Sequence, residues 1–487
     1  MISRSFIKSS LLFTVGGAMP MLASIILLPF YTNRLSEIHY TQVLFYISIS
    51  LLFQIFFSFS IESYFGIKYT QLSGDLPRQK RFVGTTSILL LLIGAGLLAV
   101  TAISGERVFA VVYADSIGMD FWPYGFYSLL TAFFNSYFKA ATICMIYFKQ
   151  ARLFLLVNIV NFIATLAITL GGLHYFPGTI IGPIYGRLLS GLLIFIIALW
   201  IFKSNGIFVF DRHFIRELVS FCAPYFFFAI SIWVLGQVDR YMLQKYIRFD
   251  ELNAYDLVLK CFFGIDFLQN SLTAVIFPRL YEIWNKNGRN ETTPESNRYF
   301  NVFTAVNILQ LILFCIFLPL LYRLVIRNES FFESERYIGL LAAGYALRTI
   351  LSFYMSTILF SKKLGVLIKI FGLASLFQVI TTLVMVRYWG LMGAIYAGLA
   401  TRILQIILCM LLTGDVFAYR FNYFKIITIP FIYIAVNLVQ FLVHTEYNIW
   451  LYLAQLAGFG ILFYIVFRNE IRKVLVSFNI LPPAAGN

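Results

Sequence analysis

Five basic side chains, Lys139, Arg187, Lys260, Arg348 and Arg402, stand inside stretches of the chain that are otherwise apolar. One carboxylate, Asp266, is comparably deep, and Gln269, Asn270 and Thr273 continue a polar face from it at helical spacing. Asp256 lies four residues before Lys260, the separation at which opposite charges meet on one helix face. Insertion scales put a charge at the centre of a bilayer at about 2.5–3.5 kcal/mol, so five facing lipid would cost on the order of 10 kcal/mol or more. A water-filled chamber shared by helix bundles relieves that cost. The chemistry open to these residues is binding: Arg and Lys hold an anion, while a deep carboxylate such as Asp266 can exchange a proton or cation as its surroundings hydrate. A plainer reading stands beside each. A membrane Arg can tie down helix-end carbonyls, and Lys139 and Lys260 can snorkel to an interface.

The elements that would position these residues follow from composition. Of 487 residues, 60% are hydrophobic and 12% charged, roughly half the soluble norm of about 25%. Apolar runs long enough to cross about 30 Å of hydrocarbon recur along the chain. They predict an all-α polytopic membrane protein of about fourteen transmembrane helices, at 10–32, 41–61, 83–104, 124–148, 153–173, 179–202, 218–238, 255–277, 300–322, 337–360, 366–386, 391–412, 425–443 and 449–467. At 1.5 Å per residue, Arg348 and Arg402 are about 16 Å deep, Asp266 about 16–18 Å, and Arg187 and Lys260 roughly 9–12 Å. Of the 37 Lys and Arg, about 23 fall on segments of one side and about 9 on the other, which assigns both termini to the cytoplasm. The same rule accounts for the net charge of +15. No basic run interleaved with aromatics suggests nucleic acid.

Two six-helix blocks follow one plan. Residues 1–202 form an N-terminal lobe, 203–217 a cytoplasmic linker, 218–412 a C-terminal lobe, and 413–487 an appended helix pair with a cytoplasmic tail. Each lobe opens with a proline-interrupted helix, hinged at Pro20 or Pro224 and closing on a basic residue, Arg34 or Arg240. Asp239-Arg240 reads as a local ion pair at a span end and, with Arg34, as a gate; a short polar hinge then leads to a helix starting at Tyr255. The linker, with Phe208, Phe210 and Phe214 against Asp211, Arg212 and Arg216, has the pattern of a short amphipathic helix. Arg4 and Lys8 precede an apolar run that continues to about Tyr31, read as a retained first span.

Enzyme chemistry finds little support. The four histidines fall in loops, the five cysteines form no C-x-x-C pair, and Walker, metal-ligand and G-x-S-x-G patterns are absent. Glu106, Asp115 and Asp120 are the only carboxylates on the longest outer connection, 105–123. No metal or cofactor is expected.

Three stretches carry a family resemblance. Leu27–Ser50 (LLPFYTNRLSEIHYTQVLFYISIS) is similar to a first-to-second-helix passage, and the run from Ala223 with Pro224, Asp239-Arg240 and Tyr255 resembles a seventh-helix signature. Phe277-Pro278-Arg279-Leu280 matches the close of helix eight. The pattern resembles the polysaccharide-transport family of the superfamily that also holds MATE exporters and lipid II flippases. Thr41 and Ala254 stand where that family usually has glycine. The resemblance implies a MATE-like fold in the bacterial inner membrane. It implies a flippase that carries polyprenyl-pyrophosphate-linked oligosaccharide units to the outer leaflet for O-antigen, capsule or exopolysaccharide. Coupling would be to a proton or sodium gradient, with membrane lipids, a polymerase and chain-length machinery as partners. A MATE-like small-cation exporter and an integral glycan polymerase or ligase are the alternatives.

Overall fold

Short polar runs cap the start of three of the apolar helices. Thr293-Pro294-Glu295-Ser296 forms a capping box: Ser296 N donates to Thr293 Oγ1 at 3.1 Å and Thr293 N to Ser296 Oγ at 2.9 Å, with proline at a position that needs no donor. Ser36 and Asp75 cap two other helices by accepting from His39 N and Arg78 N. The computed structural model describes residues 4–113, 117–287, 291–420, 422–444 and 446–477. Its helices are α1 (Arg4–Arg34), α2 (Glu37–Ser58), α3 (Ile61–Gln71), α4 (Leu76–Val112), α5 (Phe126–Tyr147), α6 (Ala151–Tyr175), α7 (Ile181–Asn205), α8 (Arg212–Leu243), α9 (Phe249–Asn287), α10 (Pro294–Val325), α11 (Ile338–Ala346), α12 (Arg348–Phe360), α13 (Leu364–Thr413), α14 (Ile429–Val443) and α15 (Ile449–Ser477). The fold is all-α: among the described residues the one strand-like contact is a bridge between Glu291 and Ala418.

Among the described residues, thirteen helices are long and apolar enough to cross a membrane. The difference from fourteen lies in α13, whose 50 residues contain a break at Gly390 (φ 53°, ψ −129°). That residue joins the predicted spans 366–386 and 391–412, in a backbone conformation that glycine adopts without penalty. Other boundaries depart from expectation. The loop expected at 62–82 contains α3, entered through left-handed Phe59 and Ser60. The connection expected at 105–123 is shorter, because α4 runs on to Val112. Asp120 of that connection is held by Tyr46, whose hydroxyl donates to the Asp120 carbonyl (2.8 Å) and accepts from Asp120 N (3.1 Å).

Helix α9 begins at Phe249, not Tyr255. The linker is also different: 206–211 is an extended strap and α8 starts at Arg212. Ile207 N donates to Lys80 O (2.9 Å), and Thr85 Oγ1 to Val209 O (2.7 Å), so two of the strap's backbone polar groups are met by the first part of α4. The prolines do not end their helices. Helix α1 continues past Pro20 and Pro29, and α8 past Pro224; both Pro20 and Pro224 are exposed.

Contacts divide the chain into two compact units, Met1–Gln237 and Val238–Asn487, which part within α8. In the first, α5 packs against α2, α3, α4, α6 and α7. Tyr137, Ala141, Cys144 and Met145 of α5 join Phe82, Ala198 and Phe202 in a buried core. Helices α6 and α7 approach so closely that a Cβ on Gly182 would lie 2.6 Å from Leu173 N and 2.7 Å from Gly172 C. In the second unit, α10 packs against α9, α11, α12, α14 and α15, so the C-terminal pair joins this unit's core.

Close small-residue contact is a principal source of helix association where burial from water contributes little. Gly182→Val should therefore destabilise the first unit by about 1–3 kcal/mol through overpacking. A lowered melting temperature of the purified protein in detergent, against unchanged melting for Gly171→Val (no neighbour within 4 Å of the added carbon), checks this.

Candidate functional site

Helix α9 sets out the polar residues of the second unit along its length. Near its start, Asp256 is only 2% exposed and accepts from two bases. Arg240 Nε donates to Asp256 Oδ1 at 2.7 Å, and Lys260 Nζ lies 2.8 Å from Oδ2. The i,i+4 spacing of Asp256 and Lys260 thus becomes a contact. Arg240 turns to α9 and not to its neighbour's carboxylate. Asp239 instead accepts from the Tyr255 hydroxyl (2.5 Å) and from the backbone N of Arg240 (2.9 Å). The local side-chain pair Asp239–Arg240 expected from sequence is therefore replaced by a network of two carboxylates, two bases and a phenol. Its four formal charges cancel.

Further along α9, Asp266 forms an ion pair with Arg348, the first residue of α12. Asn270, one turn on, accepts from Arg348 Nη2 at 2.9 Å. Neither ionic side chain is sealed: 28% of Arg348 and 26% of Asp266 are exposed. One turn before Arg348, Tyr345 stacks on Phe262 (centroids 4.6 Å apart), and the Arg402 guanidinium lies 4.6 Å from the Tyr345 ring centre. Gln269 donates to Asn307 Oδ1, and Asn307 Nδ2 donates to the Tyr345 carbonyl at 3.3 Å. Three side chains from α9 and α10 thus fix the short segment that carries Arg348.

Arg402 stands apart. Among the described residues it has no carboxylate within 4.0 Å, and an aromatic face attracts a cation without cancelling its charge. Arg187, in the first unit, shares this condition. It lines a small cavity of about 10 Å³ with Tyr46, Ser50, Ser128 and Thr131, all neutral. That space is on the scale of one water molecule, and the buried Ser50 hydroxyl that faces it has no protein partner.

The remaining expected residues fall as follows. Lys139 meets Glu62 at 2.6 Å, with Lys139 half exposed. Arg34 is exposed at the last turn of α1 and forms no ion pair within its own unit among the described residues. The five bases are consequently less free than their depths suggest, since Lys139, Lys260 and Arg348 each hold a carboxylate. Depth counting treats every helix separately and does not see which residues face one another. Tyr345 and Asn307 were not singled out in the sequence. The signal for Tyr345 is its position one turn before Arg348 on an otherwise apolar run. Among the described residues no group of His, Cys, Asp and Glu could hold a metal ion.

No family model and no curated relative matches the sequence. Solved structures do match. The lipid II flippase MurJ in an inward closed conformation superposes with a TM-score of 0.70 at 14% identity, covering 96% of this chain and 100% of that one. An inward-facing multidrug resistance MATE family transporter of the MOP superfamily gives 0.63 at 12% identity, over 83% of this chain and 98% of its own. A MATE transporter from Vibrio cholerae gives 0.59 at 13%, over 85% and 96%. This chain shares the fold of these transporters. The shared fold spans the chain almost end to end.

The α8–α9 network gives a direct test. Asp256→Asn leaves Arg240 and Lys260 without their shared counter-charge in a nearly sealed site. Breaking a buried pair in this way costs about 3–5 kcal/mol. Thermal melting in detergent should show the loss, and Asp256→Asn combined with Lys260→Met should recover part of it; unchanged melting of the single variant would contradict the network's role.

Proposed function

We propose that this chain is a flippase that carries polyprenyl-pyrophosphate-linked oligosaccharide units from the cytoplasmic to the outer leaflet of a bacterial inner membrane by alternating access, for O-antigen, capsule or exopolysaccharide assembly. The observation that carries the reading is the surplus guanidinium of Arg402. In its unit Arg240, Lys260, Arg348 and Arg402 face Asp239, Asp256 and Asp266, four bases against three carboxylates. A pyrophosphate is the kind of ligand that supplies the missing negative charge, through charge-assisted hydrogen bonds that a guanidinium makes well. Arg187 would serve the same end in the first unit. The fold of a lipid II flippase supports a lipid-linked cargo of this class.

The partly exposed Asp266–Arg348 pair is suited to exchange. An arriving phosphate can compete with Asp266 for Arg348, and the released carboxylate can take a proton or a sodium ion, which would couple cargo to a gradient. Lys139 and Lys260 would then be structural bases that hold Glu62 and Asp256. Pro20 and Pro224 would act as hinges, with Arg34, Asp239 and Arg240 near the gates. The lobes of the reading remain 1–202 and 218–412, joined by 203–217 and followed by the helix pair of 413–487. Both termini would be cytoplasmic, and a polymerase would take over the delivered units.

Export of small cations is less well supported, because it calls for a surplus of carboxylate. Asp239, Asp256 and Asp266 are all held by bases or a phenol.

Arg402→Ala in the native host should lower surface polysaccharide about tenfold or more, the effect of losing one charge-assisted contact of about 1.5–3 kcal/mol, with the protein still present in the membrane. Immunoblots of membranes and polysaccharide gels check both. Wild-type polysaccharide with Arg402→Ala and Arg348→Ala combined would overturn the reading.

A further inference from the structure

Where α10 stops and α14 turns into α15, a second cavity opens that none of the charges above line. It has a volume of about 550 Å³, within the range of about 300–1,000 Å³ that small-molecule sites occupy. Trp450, Tyr447, Asn448, Glu446, His444 and Arg323 contribute to its wall. We propose that this cleft binds neutral carbohydrate.

The lining residues divide into a platform and a set of polar groups. Trp450 is 74% exposed, so a broad indole face is open to a ligand. Its backbone is fixed, because Trp450 N donates to Asn448 Oδ1 at 3.0 Å at the start of α15. Tyr447 is fixed as well: its hydroxyl donates to the Cys315 carbonyl at 2.9 Å, and its ring stacks on Tyr452 at 5.4 Å and 21°. The cleft therefore has a preorganised aromatic wall. A pyranose presents a flat face of C–H groups to such a wall, and water is displaced from both.

The polar groups suit hydroxyls better than phosphate. Asn448 spends its carbonyl on the helix start and keeps its amide N–H groups, while exposed Glu446 accepts. Donor and acceptor side by side match a hydroxyl, which does both. Arg323 is already neutralised by Glu335 at 3.1 Å, and Glu446 adds negative charge, so the cleft has little attraction for an anion. An apolar tail would leave Glu446, His444 and Asn448 facing hydrocarbon, at a cost.

The site lies wholly within the second unit and depends on no transported cargo, so it can be tested with soluble sugars whatever becomes of the flippase reading. Saturation-transfer NMR on the full chain in nanodiscs, with neutral oligosaccharides of hexose and N-acetylhexosamine, should show transfer to ring protons. Trp450→Ala should weaken apparent affinity about tenfold, the scale of a lost aromatic contact, and Glu446→Gln should weaken it less. Trp389→Ala, another exposed indole outside the cleft, should leave it unchanged. Absence of transfer in the wild-type protein, equal transfer with Trp450→Ala, or equal loss with Trp389→Ala would each overturn the proposal. Inorganic phosphate competing with the sugar would also count against it.

Discussion

In an apolar surrounding a charge must find a counter-charge or water, and much of the polar geometry of this chain follows from that requirement. Asp256 shows it most sharply. It is nearly sealed, and two bases close on it from the end of α8 and from the next turn of α9. With its partners satisfied, the network holds the α8–α9 junction in one arrangement. Tyr255 and Asp239 complete it, so no member is left with an unmet charge. Replacing Arg240 by lysine would not be conservative here, because Nε is the donor that reaches Asp256.

The same accounting separates the other bases by role. Where a base is matched and its partner buried, as at Lys260, the charge is structural. Where a pair is partly open, as at Arg348 and Asp266, it can exchange partners at modest cost. At Arg402 and Arg187 no carboxylate lies within ion-pair distance among the described residues, so these two charges are the ones the proposed function assigns to an anion. The ring of Tyr345 holds the Arg402 guanidinium in place without neutralising it, a suitable preparation for a ligand that brings its own negative charge. Asn307 and Gln269 steady the carbonyl of that same tyrosine, so Arg402 and Arg348 flank one braced segment.

The architecture was largely legible in the sequence because membrane helices are read from length and apolarity, which need no knowledge of neighbours. Even the span hidden within α13 was visible, since Gly390 follows an Arg-Tyr-Trp run that ends one apolar stretch and precedes another. Facing was far less legible. Asp266 and Arg348 have similar depths, which permits their pair but does not predict it. Lys139 and Glu62 lie on separate helices whose approach depends on the left-handed turn at Phe59-Ser60. The strap at 206–211 was read as helix from its alternation of apolar and charged residues. A backbone bond from Ile207 N to Lys80 O and a bond from the Thr85 hydroxyl to Val209 O favour the extended form instead.

The central claim is that surplus positive charge around Arg402 recognises a pyrophosphate. Competition binding to the purified protein, polyprenyl pyrophosphate against the uncharged polyprenol of equal length, followed by native mass spectrometry, tests it most directly. The account predicts that the pyrophosphate is preferred, that the preference weakens with salt, and that it falls sharply in Arg402→Gln. Equal binding of the two lipids, or a preference unaffected by Arg402→Gln, would contradict it.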